Sequence, residues 1–123
     1  VGVMSGIYMN EYAPKGKLII YEGDQESVVR AINEETKKQC ADGRRVAVLA
    51  AEETRECYIC ENVKSAGSRR DEETIAANLF ELLREFDEEG AELIYSESFE
   101  TVQLGQAIMN RLLKAAGYHI VRV

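Results

Sequence analysis

Apolar residues fall along the chain in two rhythms: short unbroken runs, and longer stripes spaced three and four apart. The first run is Lys17–Glu22, with Leu18, Ile19, Ile20 and Tyr21 in succession. Such a run suits a strand buried on both faces. Gly23-Asp24 predicts a turn, with Asp24 placed to cap a helix whose stripe is Val28, Val29, Ile32 and Cys40, up to Gly43. Arg45–Ala51 predicts a second strand through Val46, Ala47, Val48 and Leu49. Glu52–Arg55 fits one turn, Cys57–Asn62 a third strand, and Val63–Arg70 a polar loop containing Gly67. Ile75, Leu79, Leu82, Leu83 and Phe86 keep the 3.6-residue period and predict a helix over residues 71–88, stopped by Gly90. Ala91–Ser96 predicts a fourth strand, Leu104–Ala116 a third helix ended by Gly117, and His119–Val123 a last strand.

Strands alternating with helices imply crossovers between parallel strands. The expected fold is therefore α/β: a three-layer α/β/α, Rossmann-like domain around a mostly parallel five-stranded sheet. Val1–Lys15 has no period and holds the only proline, so residues 1–15 are expected to be a linker and residues 16–123 the domain. One domain is the default for 123 residues, and 46% apolar content is enough for a core. A first residue of Val rather than Met suggests a piece of something larger.

The net charge of −7 argues against a stand-alone nucleic-acid binder, which needs a concentrated positive field. Three cysteines leave no closed disulfide framework, so the chain reads as cytoplasmic. No run is long enough to span a membrane. Cys57-Tyr-Ile-Cys60 is a lone CxxC; the further ligands that zinc would need, Cys40 and His119, are both distant in sequence, and on a strand its two thiols face opposite ways. The expectation is no metal and no catalytic residue in this chain. The loop Lys64-Ser-Ala-Gly-Ser-Arg-Arg70 is the best ligand candidate. It follows a predicted strand and precedes a helix, so Lys64, Ser68, Arg69 and Arg70 are the expected anion-binding residues. Ser68 also stands where it would cap that helix. Glu97 and Glu100 are two carboxylates near the end of the fourth strand, a pair able in principle to hold magnesium. Arg84 with Asp87, and Asn110 with Arg111, are expected to knit helices together or to a neighbouring domain.

Three blocks carry a resemblance. Gly6-Ile-Tyr-Met-Asn-Glu-Tyr-Ala-Pro-Lys15, Ala77-Asn-Leu-Phe-Glu-Leu-Leu-Arg-Glu-Phe-Asp-Glu-Glu-Gly90 and Gly105-Gln-Ala-Ile-Met-Asn-Arg-Leu-Leu-Lys-Ala-Ala116 occur in that order. Together they resemble the C-terminal domain of the long, YrdC-type L-threonylcarbamoyladenylate synthases. In the first block Gly6, Tyr12, Ala13, Pro14 and Lys15 match the family linker. Ser5, Tyr8 and Glu11 depart from it, the last two removing positive charge that in the family faces the nucleotide. The resemblance implies an accessory or regulatory domain behind an N-terminal catalytic domain. The parent reaction it implies joins threonine, bicarbonate and ATP, with magnesium, into threonylcarbamoyl-AMP for the N6-threonylcarbamoyladenosine modification of tRNA. It implies no cofactor in this chain and contact with tRNA only indirectly, and it leaves a homodimer open. Two other readings stay open: a stand-alone nucleotide- or phosphate-binding module, and a structural dimerisation module.

Overall fold

A computed structural model describes residues 14–99 and 105–123. Five strands form one sheet: β1 (Lys17–Glu22), β2 (Val46–Ala50), β3 (Val63–Ser65), β4 (Leu93–Glu97) and β5 (Ile120–Arg122). Three helices join them: α1 (Gln25–Ala41), α2 (Glu72–Glu88) and α3 (Gly105–Ala115). The strand order is β3-β2-β4-β1-β5, and every pairing is parallel. The expected α/β fold is present, with the sheet wholly rather than mostly parallel.

Alternation along the strands feeds two cores. Leu18, Ile20, Leu49 and Ile94 face one side, where Ile75, Leu79, Leu83 and Phe86 of α2 and Ile108, Met109 and Leu112 of α3 cover them. Tyr21, Val48, Leu93 and Tyr95 face the other side, under Val28 and Ile32 of α1. The α2 stripe is therefore the predicted one, with only Leu82 left partly buried at its edge. Asp24 caps α1 as expected, accepting from the Ser27 N–H at 3.0 Å. The cap of α2 is Asp71, which accepts from the Thr74 N–H at 3.2 Å, and not Ser68.

The third strand is displaced. Cys57–Asn62 is not a strand: Arg55–Cys57 forms a short 3-10 turn and an irregular run leads to Val63. A strand parallel to β2 must start again at the opposite edge of the sheet, so residues 51–62 are consumed in the return. The three residues that pair are Val63, Lys64 and Ser65, opposite Val48, Leu49 and Ala50. A short, polar outer strand is what an edge position tolerates.

Pro14 and Lys15 are the matched linker residues within the described range, while Gly6, Tyr12 and Ala13 lie outside it, as do Ser5, Tyr8, Glu11 and Glu100. The Lys15 N–H lies 3.0 Å from both oxygens of Asp87, and the Gly16 N–H lies 3.4 Å from one of them. Asp87 thus fixes the chain where it enters β1. Arg84 instead pairs with Glu81 at 3.3 Å. Gly16 is needed for close approach, because a Cβ there would sit 2.4 Å from the Ala91 carbonyl oxygen. Gly16→Ala is expected to lower stability by about 1–3 kcal/mol through overpacking against backbone. The urea midpoint should fall with an unchanged m-value, and an unchanged midpoint would contradict the contact.

Candidate functional site at the carboxyl edge of the sheet

The connections leaving β1 and β4 pass to opposite faces of the sheet, and the two strands are neighbours. Their carboxyl ends therefore open a crevice, the place where parallel sheets hold ligands. A cavity of about 290 Å³ lies there, lined by Tyr21, Glu22, Gly23, Gln25, Arg69 and Glu97.

Glu97 is the centre of this edge. It ends β4 and is 2% exposed, so its charge needs partners. Four donors supply them. The Arg69 guanidinium lies 2.5 Å from one oxygen and the Ala51 N–H 3.4 Å from the same oxygen. The Tyr58 hydroxyl donates to the other oxygen at 2.6 Å, and the Thr54 hydroxyl donates there too. Burial first, then the Glu97 charge, raises the Tyr58 phenol well above its ordinary value, which keeps it a donor. Arg69 also donates to the Ser98 carbonyl at 2.9 Å and lies 5.4 Å from the Phe99 ring centre. One carboxylate thus ties together the segments that follow β2 and β3 and the end of β4.

Glu53 makes a second tie. It accepts from the Ser68 hydroxyl at 2.6 Å and from the Arg69 N–H at 3.0 and 3.2 Å. The Ser68 hydroxyl and then the Arg69 N–H hold its carboxyl below the usual carboxylate range. The loop that the sequence singles out for anions already holds an anion, the side chain of Glu53. Its four named residues are not gathered. Lys64 turns to Glu85 and Glu89, at 3.2 and 3.1 Å, and Arg70 is exposed. Burial works against the Lys64 charge, yet the two carboxylates together hold its ammonium above the ordinary lysine value.

The geometry suits fastening rather than turnover. Four donors converge on Glu97 and engage both of its oxygens. Among the described residues no group of three or more His, Cys, Asp and Glu stands close enough to hold a metal ion. The CxxC lies in the return segment instead of on a strand: Cys57 is exposed, and the Cys60 thiol donates to the Val46 carbonyl at 3.2 Å. Burial raises that thiol. His119 is exposed beside Tyr118. Asn110 and Arg111 are exposed on α3. Among the described residues no helix is long and apolar enough to cross a membrane. Sequence reasoning named Arg69 and Glu97 separately and missed Thr54 and Tyr58. A carboxylate closing the buried run Leu93-Ile-Tyr-Ser-Glu97 was the signal that partners must exist.

A family model described as the C-terminal domain of threonylcarbamoyl-AMP synthase matches residues 3–117. The chain belongs to this family. It is 42% identical over 120 residues to the threonylcarbamoyl-AMP synthase of Bacillus subtilis, covering 98% of this chain and 34% of that protein. To the threonylcarbamoyl-AMP synthase of Pyrococcus abyssi it is 37% identical over 118 residues, covering 96% of this chain and 33% of that protein. The chain thus spans about a third of the length of these curated relatives. The fold resembles the crystal structure of P. abyssi Sua5 complexed with L-threonine, with a TM-score of 0.80 and 38% identity over 91% of this chain and 31% of that one. It also resembles the crystal structure of a C-terminal Sua5 domain from Pyrococcus horikoshii, with a TM-score of 0.72 and 35% identity. That match covers 90% of this chain and 100% of the other.

In this threonylcarbamoyl-AMP synthase domain the acid response has a definite sign. Glu53, Glu89, Asp24 and Asp71 are all held below their ordinary values: Glu89 by Asn62 and Lys64, and the two aspartates by the N–H and hydroxyl groups at helix starts. Lowered folded-state values mean stability that is present above the unfolded values and lost as pH falls through the folded ones. The melting temperature is expected to be flat near neutrality and to drop below about pH 4. A melting temperature independent of pH down to about pH 3 would contradict these contacts.

Proposed function

We propose that this domain is the accessory, regulatory part of a threonylcarbamoyl-AMP synthase serving N6-threonylcarbamoyladenosine formation in tRNA. It follows a YrdC-type catalytic domain and is tethered to it by residues 1–15. The catalytic domain joins threonine, bicarbonate and ATP and releases pyrophosphate, with magnesium accompanying the nucleotide. The enzyme is a cytoplasmic nucleotidyltransferase, and this domain meets tRNA only indirectly. The observation that carries the reading is the family match over residues 3–117, in a chain spanning about a third of its curated relatives.

The geometry supports an assisting role in two ways. The carboxyl edge, where a ligand would seat, is fastened by Glu97 and Glu53. At the start of β1, Asp87 grips the backbone of Lys15 and Gly16. Force on the tether is therefore delivered to the sheet and to the end of α2, as a rigid accessory body requires. The coding sequence immediately upstream of Val1 tests the arrangement. An in-frame domain with basic nucleotide-binding residues is expected, and a start codon directly before Val1 would overturn it.

A further inference from the structure

A groove of about 560 Å³ lies between α1, the start of β2 and the return segment after the 3-10 turn, away from the Glu97 edge. Three cations line it: Lys37, Arg44 and Arg45. Among the described residues none of the three makes an ion pair, although the chain carries a net charge of −7. Two carboxylates also line it, Glu61 and Glu89, and Glu89 is already held by Lys64 and Asn62. The floor is apolar, with Val46 and Ala91 both buried. Ile59 adds a large aliphatic side chain that is 56% exposed. Thr36 also lines the groove; it is 2% exposed, and its hydroxyl oxygen is buried without a hydrogen-bond partner among the described residues. A buried hydroxyl without a partner is rare and calls for one.

We propose that this groove binds a small organic phosphate: an anionic head on Arg44, Arg45 and Lys37, and an apolar body against Ile59, Val46 and Ala91. Paired guanidinium groups match phosphate oxygens better than a single ammonium does. The volume falls within the range of small-molecule sites, and an apolar floor with a few convergent polar groups is their usual composition. This groove is a second place for an anion, apart from the loop expected from the sequence. At the Lys64–Arg70 loop, carboxylates of the chain engage Lys64, Ser68 and Arg69, whereas here the cations stand ready.

The test is a titration of the isotopically labelled chain with AMP, adenosine and inorganic pyrophosphate, followed by backbone amide shifts. Saturable shifts with AMP at Thr36, Arg44, Arg45 and Ile59–Asn62 are expected. Adenosine should bind at least about tenfold more weakly, for loss of its charge-assisted hydrogen bonds. The double substitution Arg44→Ala with Arg45→Ala should weaken AMP binding by at least about tenfold while leaving the melting temperature unchanged. No saturable shift at millimolar AMP, shifts confined to Tyr21–Val28 and Arg69, or full affinity in the arginine variant would each overturn the proposal. Pyrophosphate binding as tightly as AMP would overturn its organic part.

Discussion

Glu97→Ala is expected to lower unfolding stability by about 3 kcal/mol, the largest effect of any polar substitution in this domain. The carboxylate is only 3% exposed in its side chain, and its removal strands several donors at once. Arg69 is 34% exposed and recovers water on losing its partner, so its share of the loss is small. Tyr58 is 8% exposed and has no such recourse, whereas the fully buried Thr54 hydroxyl can turn to the Ala51 carbonyl at 3.3 Å. Each unpaired hydroxyl costs about 1–3 kcal/mol. A fall in melting temperature of roughly 10 °C follows for a chain of this size. Glu97→Gln should recover only part of the loss, because an amide keeps one acceptor oxygen and turns an NH₂ toward groups that themselves donate. Arg69→Ala should cost less than Glu97→Ala, since the carboxylate keeps Thr54, Tyr58 and the Ala51 N–H. Urea unfolding of both single variants and the double variant measures the order and the coupling. A Glu97→Ala midpoint equal to that of the parent would show that the four contacts contribute nothing.

Phe86→Ala is expected to cost about 3–5 kcal/mol. The ring is fully buried in the core between the sheet and α2. The Lys64 ammonium lies 5.8 Å from its centre. Truncation removes apolar contact and leaves a void, because α2 is held at both ends and does not collapse onto it. The start is capped by Asp71, and the end closes where the Ala91 N–H meets the Phe86 carbonyl at 3.0 Å. The next residue, Asp87, holds the backbone of Lys15 and Gly16, so loosening the last turn also frees the incoming chain. Leu82→Ala, on the same helix but partly buried, should cost clearly less. Equal losses for the two variants would show that the stripe is not seated as described.

Apolar rhythm alone located β1, β2, β4, β5 and all three helices. The inner strands and the helices bury faces broad enough to print themselves on the sequence: Val46 to Ala50 are all buried, and so is the α2 set Ile75, Leu79, Leu83 and Phe86, whereas β5 is an edge strand found from the short run after Gly117. β3 has no such signature, because an edge strand of three residues needs only backbone pairing with β2. The alternating Cys57-Tyr-Ile-Cys60 imitated a strand while serving another purpose. Tyr58 turns inward to Glu97 and Ile59 outward to solvent. The fastening at Glu97 was half legible. Its partners stand 28, 39 and 43 residues away in sequence, and only the parallel order of β3, β2 and β4 brings them to one edge. A separation of 15 and 16 residues hid the pairing of Ser68 and Arg69 with Glu53, a carboxylate that the chain itself supplies to the loop read as a candidate for anions.

The central claim is that this domain, tethered, changes how a threonylcarbamoyl-AMP synthase works. Pyrophosphate release from ATP with threonine and bicarbonate tests it most directly. Three proteins are compared: the part of the B. subtilis synthase that precedes its matching segment, that part with its own C-terminal domain, and that part joined through residues 1–15 to this chain. The joined chain is expected to move turnover or ATP affinity away from the truncated protein and toward the intact one. Turnover and ATP affinity identical in all three would contradict it.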